Sequence, residues 1–261
     1  MEFLDLPVEI QHKVMRMLAP QGFLNLSSSS RALMATGTEC RSKQWSDVTR
    51  RCDGLWIFTD GPRCTHVKNK KLLNLMLAHS VIDKLEYCEF RGRPVPSNFR
   101  RDRFEVRNLK VNTGPIGCID VVASAAKCFM PQSLDVKHAE YESFWPEALA
   151  TCNENLRKFH ATYVGDEVAT LRHLKVPSMQ IRLPLIELPE LLKLIDDIVT
   201  EWVNGKREIV HIQFSFMCLG SYLVAQAAFA RMKLDYARGP EQLHIETDDD
   251  TVTLFTSLCV L

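Results

Sequence analysis

The chain has 261 residues, 46% of them hydrophobic, which suffices for a sizeable core in one large domain or in a small module followed by a larger one. Its 32 Lys plus Arg balance 32 Asp plus Glu, so no net field draws it to nucleic acid or to an anionic membrane. Nine cysteines, odd in number and scattered through hydrophobic segments, suit reduced, mostly buried thiols better than a disulfide framework, and no uncharged apolar run of about 18 residues offers a membrane span; the expected compartment is cytoplasm or nucleus.

The first element is "FLDLPVEIQHKVMRML", residues 3–18. Pro7 fits the first turn of a helix, where its missing N–H costs nothing, and Glu9 sits near the positive end of the helix dipole. Ile10, Val14, Met17 and Leu18 fill one arc of the wheel, and Val8 and Met15 widen it to roughly half the circumference. One layer of core needs less, so either this helix is buried between two neighbours of its own fold or part of it awaits another protein. A break at Pro20 to Gly22 follows, then an apolar turn through Phe23, Leu24 and Leu26, then serines able to cap a further helix near Arg31. A helical unit of about 40 residues rarely stabilises itself alone.

The order Leu6-Pro7-x-Glu9-Ile10, Val14, Met17-Leu18, Pro20, Leu24, Leu26-Ser27, Ser30-Arg31 resembles an F-box, the adaptor-binding module of SCF (Skp, cullin, F-box) ubiquitin ligases. Ser28 and Ser29 stand where that family usually has apolar residues. The resemblance implies a three-helix F-box over residues 1–45, in which Leu6, Pro7, Ile10, Val14, Leu18 and Leu24 dock on the Skp adaptor and, through it, a cullin.

Beyond it, an apolar-x-x-Leu-x-apolar pattern recurs in "IDKLEY", "VRNLKV", "LRKFHA", "LRHLKV" and "IVHIQF", with weaker copies around Leu134 and Leu243. Its centres lie at 85, 109, 134, 159, 174, 212 and 243, so the first gaps match the interval of leucine-rich repeats and the later ones depart from it. Helical signals lie between the strands at 67–80, 119–130 and 144–152. The clearest runs from Leu188 to a stop at Asn204-Gly205. The end, "QLHIETDDDTVTLFTS", alternates on both sides of Asp248 to Asp250 and predicts a hairpin. Residues 46–261 are therefore expected to form an irregular leucine-rich-repeat-like array of short strands and helices, giving an α/β chain overall. The stretch from Leu183 to Phe214, together with the final hairpin, is similar to the F-box-associated domain of nematode F-box proteins.

Residues 91–107 hold six arginines against Asp102 and Glu105, and Arg100, Arg101 and Arg103 are candidates for binding a target's anionic groups. Cys40, Cys52, Cys64 and His66 lack the close Cys-x-x-Cys hooks of a structural zinc site, and the three aspartates at 248–250 lack the ligand spacing of a calcium loop. His138, Glu140 and His173 have no nucleophile elbow, phosphate loop or zinc motif beside them. The expectation is a protein that is not an enzyme and needs no cofactor or metal: the substrate-recognition subunit of an SCF-type ligase, holding a target protein not named by the sequence. The alternative is a repeat-based interaction scaffold whose first helices only cap the array; a third reading is a hydrolase whose site is dispersed in sequence.

Overall fold

The computed structural model describes residues 3–17, 43–77, 80–95, 104–113, 119–137, 149, 155–162, 168–218, 229, 234–248 and 250–258. The chain divides into two compact units, residues 1–88 with 96–109 and residues 89–95 with 110–261.

In the first unit a single turn of 3-10 helix at Phe3–Asp5 leads into α1, Val8–Met17. Strands β1, Lys43–Arg50, β2, Trp56–Asp60, and β3, Arg63–Val67, are joined as antiparallel neighbours. Gly61 takes a φ of +58° between β2 and β3, and Pro62 with its fixed φ completes this two-residue turn. Helix α2, Lys70–Leu77, is capped by Asn69, whose Oδ1 accepts from the Lys71 N–H at 2.8 Å. Strand β4, Ser80–Cys88, then pairs parallel to β1. β5, Phe104–Asn112, lies beside β4; its residues up to Leu109 belong to this unit.

Large side chains fill the interior of this unit. Trp45 meets Phe58 edge-on at 5.1 Å, and Trp56 meets Tyr87 at 6.4 Å, with Ile82 and Leu85 fully buried nearby in sequence. The Trp45 indole N–H donates to Ser80 Oγ, whose hydroxyl donates in turn to the Met76 carbonyl.

The second unit contains α3, Ile119–Phe129, then β6, Ser133–Lys137, β7, Lys158–Thr162, and β8, Ser178–Ile186. After these come α4, Leu188–Val203, and β9, His211–Cys218. The unit ends with β10, Asp235–Arg238, β11, Glu241–Thr247, and β12, Thr251–Leu258. Hydrogen bonding orders them β10-β11-β12-β9-β8-β7-β6, parallel from β6 to β9 and antiparallel from β9 to β10. Along β6 to β9 alternate residues are buried, such as Leu134, Phe159, Met179 and Ile212, so one sheet face there is core and the other meets solvent.

The most completely specified element is α4. Pro189 occupies its first turn, and Leu191, Leu194, Ile195, Ile198, Val199 and Trp202 are buried. At its end Lys206 N–H donates to Glu201 O at 2.8 Å and Gly205 N–H donates to Trp202 O at 2.9 Å, the double closure that a glycine with φ of +68° permits. Arg207 follows with its side chain wholly buried: Nε donates to Glu201 Oε2 at 2.8 Å, Nη1 to the Leu174 carbonyl at 2.8 Å and Nη2 to the Arg172 carbonyl. Burial holds its pKa below the usual guanidinium value, an effect that the hydrogen-bonded Glu201 carboxylate opposes. Arg238 stacks on the Trp202 ring at 4.6 Å and donates to the Trp202 carbonyl while pairing with Glu241.

This architecture overturns the expected fold class. The described residues hold twelve strands and four α-helices of 8 to 16 residues, a mostly β chain with mixed strand pairing, in place of a three-helix F-box followed by leucine-rich repeats. Of the expected helical module, α1 is described and residues 18–42 lie outside the described residues; β1 begins at Lys43. Repeats would place strands in chain order and parallel throughout, whereas β1 to β3 and β9 to β12 run antiparallel. Leu85, Leu109, Leu134, Phe159, Ile212 and Leu243 do sit buried on strands, but Leu174 follows a 3-10 turn at Val168–His173, and the strand comes later, at Ser178. A buried leucine marks a core position, not the element that supplies it. The cysteines also depart from expectation: Cys52 and Cys64 are exposed, and Cys88 and Cys128 are half-buried.

Candidate functional site

Two surfaces and one side-chain relay carry the chemistry that could serve function. The first surface is α1. The Pro7 carbonyl accepts from the N–H groups of Ile10 and Gln11, at 2.9 and 3.0 Å, so the helix starts where the proline allows it to. Among the described side chains the inward ones are Gln11, 5% exposed, and Met15, 1% exposed, one turn apart; Gln11 Nε2 donates to the Leu6 carbonyl at 2.7 Å. Ile10, Val14 and Met17 lie at the i, i+4, i+7 spacing, within about 60° on the wheel, on an arc centred roughly 110° round from those two. They are 43%, 36% and 77% exposed, and Val8 is 53% exposed.

Of the residues proposed to dock on the adaptor, Pro7, Ile10 and Val14 are therefore exposed and Leu6 is half-buried. Leu18 and Leu24 lie outside the described residues, as do Arg100, Arg101 and Arg103. The neighbouring arginines that are described divide in use. Arg91 and Arg93 are exposed, whereas Arg107 ties β5 to β4 through Asp83 at 2.9 Å, with Asn108 donating to the Asp83 carbonyl at 2.8 Å.

The second surface is the solvent face of β6 to β9. In register across it stand Ser133, Lys158, Ser178 and His211, and in the next row Asp135, His160, Gln180 and Gln213. A cavity of about 410 Å³ opens there, lined by members of both rows. The small serines on either side of Lys158 leave that room between the longer side chains. His160 Nδ1 stands 3.1 Å from Asp135 Oδ1, and that oxygen is closed to solvent without a well-formed hydrogen bond. None of these residues was singled out from the sequence. The signal was there in "KFHAT" and "SMQIRL", where polar residues at every second position put hydrogen-bonding groups on one face.

The relay runs across β10 to β12. His244 Nδ1 lies 2.7 Å from Asp235 Oδ1, and His244 Nε2 lies 2.8 Å from Ser257 Oγ, while the imidazole stacks on Phe255 at 5.1 Å. Register explains it, since His244 is opposite both Asp235 and Phe255, with Ser257 on the diagonal. Serine, histidine and aspartate in this order can in principle activate a nucleophile. Here Ser257 sits within a strand ladder rather than on an exposed turn, and Asp235 is largely open to water, which screens its field at the imidazole. The trio fastens three strands together.

No family model, no curated protein and no solved structure matches the chain.

Proposed function

We propose that the protein is the substrate-recognition subunit of an SCF-type ubiquitin ligase, in which α1 itself docks on the Skp adaptor and the second unit holds a target protein. The observation that carries the reading is the exposed aliphatic stripe Ile10, Val14, Met17 on a helix whose neighbouring face, Gln11 and Met15, is already committed inward. Burying the part of these side chains still open to water would favour association by about 25 cal/mol per Å² of apolar area. The F-box-like order of residues 6 to 31 favours Skp as that partner, and tethering the target beside the conjugating enzyme would raise the effective concentration of its lysines. The docking element in this proposal is α1, independent of a three-helix module.

Co-purification with Skp tests it. A stoichiometric complex that is lost on Ile10→Asp with Val14→Asp supports the reading. A folded chain indifferent to Skp would leave an interaction scaffold with no ligase role.

A further inference from the structure

The open side of the second unit's sheet repeats one kind of chemistry along its parallel strands. Beyond the rows that begin with Ser133 and Asp135, a third holds Thr162, Arg182 and Ser215 in register. The intervening residues are buried, so the side chains of all three rows leave the sheet on the solvent side. Strands are spaced about 4.8 Å apart, so a row across β6 to β9 spans about 14 Å, roughly four residues of extended chain.

From β6 to β9 the charge on this face is one-sided; the carboxylates of Asp235 and Glu246 lie further along, on β10 and β11. Lys158 and Arg182 are exposed and have no ion-pair partner among the described residues, and His160 and His211 add imidazoles. Asp135 is the one carboxylate in these rows, and His160 already stands against it. Gln180 and Gln213 are neighbours in register, and each side-chain amide offers both a donor and an acceptor, the pair that a peptide main chain needs. The cavity beside Lys158 and His211 has room for one acidic side chain.

We infer that this face binds an acidic peptide segment, with Lys158 and Arg182 pairing to its carboxylates or phosphates and Gln180 and Gln213 bonding to its main chain. Guanidinium and ammonium groups serve either anion. A peptide suits the face better than RNA does, because from β6 to β9 the three rows contain no Phe, Tyr or Trp on which bases could stack, Phe255 next in register on β12 is already stacked against His244, and the chain has no net charge. The inference deepens the adaptor reading and rests on it for the idea that a target segment is what arrives.

Fluorescence anisotropy with the full chain tests it, using labelled glutamate-rich, phosphoserine-rich and lysine-rich peptides and a single-stranded RNA. Both acidic peptides, or one of them, should bind and the lysine-rich peptide should not; the tighter acidic probe identifies the source of the charge. Lys158→Glu with Arg182→Glu should weaken that binding on the order of tenfold or more, and the milder Lys158→Gln with Arg182→Gln should weaken it less. If the charge-reversed chain does not fold, the glutamine pair decides. Lys193→Glu, exposed on α4, should change affinity by less than about twofold. Unchanged affinity in the folded double variants, equal binding of the lysine-rich peptide, or RNA binding tighter than both acidic peptides would overturn the inference. A chain that binds acidic peptide but not Skp keeps this site and removes the adaptor reading; one that binds Skp but no acidic peptide does the reverse.

Discussion

Helices α1 and α4 both carry an amphipathic pattern and put it to opposite uses. In α4 the apolar stripe from Leu191 to Trp202 is entirely buried, and its end is locked by the Gly205 closure and the Arg207 guanidinium. Among the described side chains of α1 the buried ones are Gln11 and Met15, while Ile10, Val14 and Met17, the more regular apolar stripe, stay partly or largely open to water. Periodicity shows that a helix has a face to hide. Which partner hides it depends on where the rest of the molecule already packs, and in α1 a polar glutamine takes the inward place because its amide can satisfy the Leu6 carbonyl.

That contrast is open to direct attack. Trp202→Ala should have the largest effect on folding, about 3–5 kcal/mol in a denaturant melt, since it empties a fully buried site and removes the ring under Arg238. Arg207→Ala should cost about 3 kcal/mol by the same measurement, because it leaves the Leu174 carbonyl and a largely buried Glu201 carboxylate without their donor. Gly205→Ala should cost about 1 kcal/mol, as alanine resists the left-handed backbone there although open space surrounds the position. On α1 the expectation reverses: Ile10→Asp and Val14→Asp should each shift stability by no more than about 0.5 kcal/mol while abolishing partner binding.

The smallest effect concerns Asp53. Its carboxylate accepts from the Leu55 N–H at 3.1 Å, and that bond holds its pKa below the usual carboxylate value. A depressed carboxylate stabilises the fold above its ordinary pKa and loses that contribution as pH falls through the lowered value, so Asp53→Asn should slightly flatten the acid end of a melting-temperature profile and leave neutral pH nearly unchanged.

Much of this could be read from residue order. Pro7 marks the start of α1, the stop at Asn204-Gly205 marks the end of α4, and Leu85, Leu109, Leu134 and Phe159 fall on strands at nearly even spacing. What local order does not contain is pairing. The antiparallel β1 to β3 and the reversal at β9 bring together segments whose alternation looks the same whichever neighbour they choose, so even spacing suggested stacked repeats where the chain folds back on itself. Lys158, Arg182 and His211 escaped notice for the same reason: each is an ordinary exposed polar residue until register aligns it with the others. The serine, histidine and aspartate at 257, 244 and 235 likewise become neighbours only through strand pairing.

The most direct measurement is titration of purified Skp into the full-length chain by calorimetry, beside the Ile10→Asp, Val14→Asp double variant checked for an unchanged melt. The account predicts saturable binding by the unaltered chain and none by the folded double variant; no binding by the former, or equal binding by both, would contradict it.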